Sequence, residues 1–189
     1  MHEFYLGILG EGYGWGFPHA DHLNVGIGTL KKYYHNSVKD LMEILHKHPV
    51  LSKRIKGKPS KILGHHIPYN GMLRKIYSNR VVLVGDAGGF VNTLTGEDIS
   101  MAIRTAKIAS EVLSKALDGD KLSEDNLAEY QARVEKHPEI GEELRIGGII
   151  RTMLFKDLNV LDALIREASS NKKLLEVLLD LIYVRKPYP

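Results

Sequence analysis

The run VVLVGDAGGFVNTLTGEDI (residues 81–99) ends four apolar residues in Gly85 and a carboxylate, Asp86. A glycine-rich loop follows and leads into helical periodicity near Gly96. Strand ends that face a helix N-terminus are where α/β folds place ligands. The helix N-terminus supplies unpaired N–H groups and partial positive charge. Asp86 can accept hydrogen bonds from a polyol, while Gly85, Gly88 and Gly89 permit close approach. The ligand suited to such a site is a polyol attached to an electron-rich ring, as in a flavin. The same residues equally fit a structural strand–loop–helix turn in which Asp86 caps a backbone N–H.

A second stretch, GEGYGWG (10–16), puts glycine at every second position. A phosphate loop needs a strand, a tight turn and then a helix whose N-terminus faces the anion. Here Phe17-Pro18 follows, with no helical stripe, so that context fails. In an extended segment alternate side chains point the same way. Tyr13, Trp15 and Phe17 then share one face and the glycines the other. The aromatic face suits the wall of an apolar cavity, and the bare face admits close approach of another backbone. A core hairpin with aromatic packing is the alternative.

The elements that must hold these residues follow from periodicity. Residues 3–9 and 23–30 read as two antiparallel strands. Val38, Leu41, Met42 and Leu45 form a helical stripe, with Ser37 and Asp40 as a capping box and Pro49 beyond its end. A short helical piece follows around 50–55 and ends at Gly57. KILGHHIP (61–68) reads as a strand, and residues 80–84 as a buried one. A long helix then carries Ile99, Ala102, Ile103, Ala106, Ala109, Leu113 and Ala116 on one face. From Ser123 onward only helical periodicity remains. Leu127, Tyr130 and Val134 mark a helix ended by Pro138, and Leu144 to Leu154 mark the next. Leu158, Leu161, Leu164 and Ile165 mark a third, and Leu174, Leu175, Leu178 and Ile182 a fourth.

The chain has 189 residues, a net charge of +3 and no cysteine. Disulfide scaffolds, cysteine nucleophiles and zinc ribbons are excluded. Basic and acidic residues, 26 and 23, balance closely, and no basic stripe interleaved with aromatics points to nucleic acid. His19 and His22 flank Asp21, and His46/His48 and His65/His66 are near-pairs, but none matches a metal-ligand spacing. No segment reaches the ~20 apolar residues of a membrane span. The N-terminal MHEFYLGILG has an acid at position 3 and too short an apolar stretch for a secretory signal. A cytoplasmic setting fits.

The stretch RVVLVGDAGGFVNTLTGEDISMAIRTA resembles the second FAD motif of the para-hydroxybenzoate hydroxylase-like flavoproteins. Within that group it is similar to the geranylgeranyl reductase family. Tyr13-Gly-Trp15-Gly-Phe17-Pro18, followed by Gly26-Ile-Gly28, resembles that family's Tyr-x-Trp-x-Phe-Pro…Gly-x-Gly signature. The resemblance covers about residues 3–117. It implies an α+β fragment of an FAD-dependent reductase, an antiparallel sheet portion plus C-terminal helices. Residues 1–79 would be part of a substrate-binding domain, 80–122 the second FAD motif and 123–189 a helical region. It further implies FAD contacts from Gly85, Asp86, Gly96, Glu97, Asp98 and Ile99, with Asp86 on the ribityl chain and 96–99 at the pyrimidine edge. Tyr13, Trp15, Phe17 and Pro18 would line a cavity for a polyprenyl lipid whose C=C bonds are reduced. No catalytic acid is singled out.

Two departures qualify this expectation. Thr93 and Asp98 stand where the family has Pro and Gly. Asp98 brings a carboxylate toward a flavin edge that becomes negative, while Thr95-x-x-Asp98 fits a capping box. The family's opening strand–GxGxxG–helix unit has no counterpart in this sequence. The expectation is therefore a C-terminal fragment of a flavoprotein, weak in FAD binding, with self-association or a missing N-terminal half as partner. Peripheral membrane contact is also in keeping with a lipid substrate. The second reading is a non-catalytic remnant that binds an isoprenoid or a partner.

Overall fold

The computed structural model describes residues 2–34 and 38–183. It divides into two compact units, Met1–His65 and His66–Pro189. Ser37, the first half of the expected capping box with Asp40, lies outside the described residues.

The first unit is a three-stranded antiparallel sheet with one helix. Strands β1 (Glu3–Leu6), β2 (Gly12–Pro18) and β3 (Leu23–Thr29) run in sequential order. The extended glycine stretch is thus the central strand of three, between the two that the sequence predicts. Trp15 lies opposite Phe4 on one side and Gly26 on the other. Gly7, at φ +71, ends β1. Helix α1 (Val38–Lys47) and a 3-10 turn at Leu51–Lys53 follow, and Leu45 and Leu51 are fully buried. Both elements stand where the periodicity puts them.

The second unit opens with a short hairpin, β4 (Tyr77–Ser78) and β5 (Val81–Val82). Five helices follow: α2 (Ile99–Asp118), α3 (Glu124–Lys136), α4 (Glu143–Lys156), α5 (Leu158–Ala168) and α6 (Lys172–Tyr183). A π-helical turn at Pro138–Glu142, absent from the sequence reading, joins α3 to α4. The core of this unit gathers Ile76, Phe90, Met101, Ile108, Val112, Leu127, Tyr130, Val134 and Ile140.

Four expectations are corrected. Residues 61–68 form no strand, and 61–67 are exposed. Their composition suits an extended chain, but a strand exists only with a partner to take its N–H and C=O groups. The strand at 80–84 pairs over two residues alone, and Val81 is 46% exposed. Helix α2 starts at Ile99 and not near Gly96, and it buries Met101, Thr105, Ile108, Ala109, Val112 and Ala116. Ile99 and Ile103 are 71% and 65% exposed. This helix carries two apolar stripes, and the core takes the one centred on Ile108. Finally, Thr95 and Asp98 form no capping box: Asp98 is the N-cap, and its side chain makes no cap hydrogen bond.

Candidate functional site

In the first unit, alternation along β2 sorts side chains as predicted. Gly12, Gly14 and Gly16 are buried, and Tyr13, Trp15 and Phe17 are half-buried. The aromatic rings form a row, with centroids 6.0 Å apart from Tyr13 to Trp15 and 6.2 Å from Trp15 to Phe17. Phe4 of β1 joins it, 5.9 Å from Tyr13 and 5.3 Å from Phe17. Pro18 ends the strand in solvent. On the glycine side, the place of a Cβ at Gly14 lies 3.3 Å from Ile8 Cδ1, and at Gly16 3.4 Å from Leu51 Cδ1. At Gly12 the place of a Cβ lies 2.2 Å from the Gly28 carbonyl oxygen, so both backbone and side chains use that bare face.

Gly26 and Gly28 acquire a role that spacing alone does not disclose. The Trp15 indole lies across β3, and its N–H donates to Asn24 Oδ1 at 2.8 Å. A Cβ on Gly26 would come within 2.0 Å of Trp15 Cζ2. The two halves of the aromatic signature are therefore one packing unit. An open depression elsewhere in this unit, lined by Leu6, Gly7, Ile8, Ile44, Lys47 and His48, includes none of the predicted site residues. The His19 and His22 rings stack 4.4 Å apart on an exposed turn. Among the described residues no group of three or more metal-ligating side chains converges.

In the second unit, two helices fix the end of β5. The buried Tyr130 hydroxyl of α3 donates to the Leu83 carbonyl at 2.7 Å, and burial pushes its phenol well up. The Gly85 N–H donates to Thr105 Oγ1 of α2 at 3.1 Å. The chain then enters a 3-10 turn at Gly85–Gly88, with Gly85 at φ +52 and Gly89 at +77. The left-handed region is accessible to glycine without steric cost. A Cβ at Gly89 would also stand 2.4 Å from the Gly71 carbonyl oxygen. Asp86 rides on this turn, half-buried, and among the described residues no donor reaches its carboxylate.

The loop that follows is held by Asn92. Its Oδ1 accepts from the N–H groups of Leu94 and Thr95, both at 2.9 Å. Its backbone N–H donates to the Glu97 carbonyl at 2.7 Å, and its carbonyl accepts from Gly96 at 2.8 Å. Its amide donates to Glu143 Oε1 of α4 at 2.6 Å. Thr93 donates to the Leu144 carbonyl at 3.1 Å. Glu143 is 2% exposed and also faces Arg104, at 3.5 Å. Burial raises its carboxyl above the usual range; Asn92 and Arg104 oppose that, and Glu97 and Glu139 add to it. Neither Asn92 nor Glu143 stands out as a site residue in the sequence. Asn92 lies inside the quoted motif, but Glu143 looks like any first-turn acid.

Of the predicted contact residues, Glu97 turns onto the first turn of α2. Its carboxylate accepts from the Ser100 N–H at 2.7 Å and the Ser100 hydroxyl at 2.6 Å. Asp98 is held above the usual carboxylate range by burial first, then by the charges of Asp86 and Glu97; the N–H groups of Asp98 and Ile99 oppose this. The fold thus brings Asp86, Glu97 and Asp98 to one place.

A strand end, a glycine turn and a helix N-terminus thus stand together, the arrangement at which α/β folds place ligands. Over 96% of its length the chain superposes, at TM-score 0.76 and 23% identity, on half of a geranylgeranyl bacteriochlorophyll reductase-like protein from Thermoplasma acidophilum. The chain is homologous to the digeranylgeranylglycerophospholipid reductases over about 42% of their length. The enzyme of that name from Methanococcus vannielii is 34% identical over 165 residues, covering 85% of this chain and 42% of the relative. The chloroplastic geranylgeranyl diphosphate reductase of Arabidopsis thaliana is 30% identical over 138 residues, 71% of this chain and 29% of its own. No family model matches the chain. No helix among the described residues is long and apolar enough to cross a membrane.

Proposed function

We propose that the chain forms the flavin-edge and lipid-binding portion of an FAD-dependent prenyl reductase. On this reading 1–79 belong to a substrate-binding domain, 80–122 to the second FAD motif and 123–189 to a helical region. The observation that carries it is Asp86, a half-buried carboxylate with no donor among the described residues, set on a glycine turn at a strand end. A polyol such as the ribityl chain supplies the missing donors. Bound flavin supplies the hydride chemistry. The residues of this chain bind and orient: Asp86 and Gly85 at the ribityl chain, the backbone of Gly96–Ile99 at the pyrimidine edge. Glu97 acts through the backbone it caps. Tyr13, Trp15, Phe17 and Pro18 give an apolar wall for a polyprenyl chain.

The charge at 98 fits a flavin less well than the polyol contact does. A carboxylate there opposes negative charge on a reduced ring unless it holds its proton. This favours a second reading, in which the chain binds an isoprenoid without turnover. Titration of FAD, followed by flavin fluorescence quenching, separates them. Weak, saturable binding that Asp86→Ala abolishes supports the first reading. Equal quenching by wild type and Asp86→Ala removes it. No quenching at any FAD concentration, together with retention of geranylgeraniol, establishes the second. These residues offer only flavin and ribityl contacts, so the purified chain should carry little FAD. Stoichiometric bound FAD would contradict that expectation.

A further inference from the structure

Charge along this chain is segregated. From Ile44 to Gly85 there is no aspartate or glutamate, but there are nine lysines and arginines. Six of these lie between Lys47 and Lys61, in the first unit. Lys47 reaches Glu43 at 3.4 Å and Arg54 pairs with Glu3. Lys53, Lys56, Lys58 and Lys61 are exposed and meet no carboxylate among the described residues. The same stretch exposes aliphatic side chains: Leu63 is 74% exposed, Val50 54% and Ile62 40%. From Ile55 to His65 there is neither helix nor strand.

A loop that joins unpaired lysines to exposed aliphatics suits one partner on both counts. At an anionic bilayer the ammonium groups meet headgroup phosphates, and the aliphatics enter the headgroup–acyl boundary. A nucleic acid would satisfy the lysines alone. Single strands are gripped by stacking on aromatic rings, and there is no Phe, Tyr or Trp from Val50 to His66. A protein partner that buried the four ammonium groups would have to match them with carboxylates. We propose that residues 53–63 dock the protein on a membrane surface that carries anionic lipid, with Ile62 and Leu63 inserted among the headgroups. The inference stands on charge and exposure, independently of flavin binding.

Co-sedimentation of the full chain with vesicles tests it. One set is phosphatidylcholine alone; the other adds phosphatidylglycerol at equal mole fraction. The chain should pellet with the anionic set only. Binding should weaken with salt, as the Debye length falls from about 10 Å at 0.1 M to about 3 Å at 1 M. A lysine near such a surface is worth on the order of fivefold in partitioning. Replacing Lys53, Lys56, Lys58 and Lys61 together by glutamine should therefore lower partitioning by about a hundredfold or more. Leu63→Ser keeps every charge and should weaken it roughly tenfold. All five positions are exposed, and circular dichroism confirms that the variants fold. Equal binding to both vesicle sets, or an unaltered quadruple variant, overturns the proposal. Tighter binding to duplex DNA or single-stranded RNA than to anionic vesicles at the same salt overturns it too, and assigns the loop to nucleic acid.

Discussion

The side-chain amide of Asn92 donates to Glu143 Oε1 at 2.6 Å, and both residues are buried. This bond ties the loop after the Gly-Asp turn to the first turn of α4. The other amide atom, Oδ1, is already committed to two backbone N–H groups. Every polar atom of Asn92 is thus spent on fixing the conformation of residues 92–97.

Glu143→Ala should cost about 1–3 kcal/mol, because it removes the buried carboxylate that accepts from the Asn92 amide. Urea unfolding of both proteins measures it. An unchanged midpoint would show that the loop holds itself.

Glu143→Gln tests the charge. Burial raises the Glu143 carboxyl in the folded state. The folded protein then binds the proton more tightly than the unfolded chain, so this contribution to stability is complete below the unfolded value and is lost as pH rises through the folded one. Glutamine does not titrate. The melting temperature of wild type, relative to Glu143→Gln, should therefore fall as pH climbs out of the carboxylate range. A pH-independent difference would contradict the burial argument.

Asp98→Asn carries the same sign for the same reason: its carboxyl is raised by burial and by Asp86 and Glu97. The variant should gain stability over wild type at neutral pH, and the gain should vanish in acid. On the proposed reading FAD affinity, read by fluorescence quenching, should rise as well, since a carboxylate would leave the proposed flavin edge. A lower melting temperature at neutral pH would restore Asp98 as a cap.

Glu97→Ala removes the acceptor of the Ser100 N–H and should cost about 0.5–2 kcal/mol, the scale of a helix cap. Thr95→Ala should cost less, since its hydroxyl accepts the Glu97 N–H at 3.2 Å, longer than the bonds that Glu97 makes to Ser100. The reverse order in parallel thermal melts would put the cap back on Thr95.

Gly26→Ala places a Cβ 2.0 Å from the Trp15 ring. The indole must swing away from Asn24, at a cost of about 1–3 kcal/mol in overpacking. Trp15 is the only tryptophan, so its emission reports directly. A red shift together with a lower melting temperature is expected; unchanged emission would mean that the ring does not lie on β3.

The helical tail was legible because its contacts are local: each of its four helices repeats apolar residues at a spacing that one neighbouring helix can bury. The β2 alternation was legible because strand geometry leaves no choice of face. Where two solutions fit one pattern, the sequence did not choose. Helix α2 offers Ile99 and Ile103 as well as Met101 and Ile108, and only tertiary packing selects among them. The Thr95–Asp98 spacing matches a capping box, but the Asn92 side chain takes the Thr95 N–H and Glu97 takes that of Ser100. Residues 61–68 have strand composition and no strand to pair with. Glu143 carried no signal, since its role depends on a residue 51 positions away. The basic loop was hidden by averaging, because a net charge near zero says nothing of where the charges sit.

The indole of Trp15 resting on Gly26 has a consequence for descent. Neither position can drift alone: a side chain gained at 26 evicts the ring, and a ring lost at 15 uncovers a bare strand. Lineages that carry this sheet should exchange the two residues together or not at all. A homologue with a bulkier residue at the position of Gly26 should then have traded its tryptophan for something small, and an ancestor reconstructed with only one of the two changes should fold poorly.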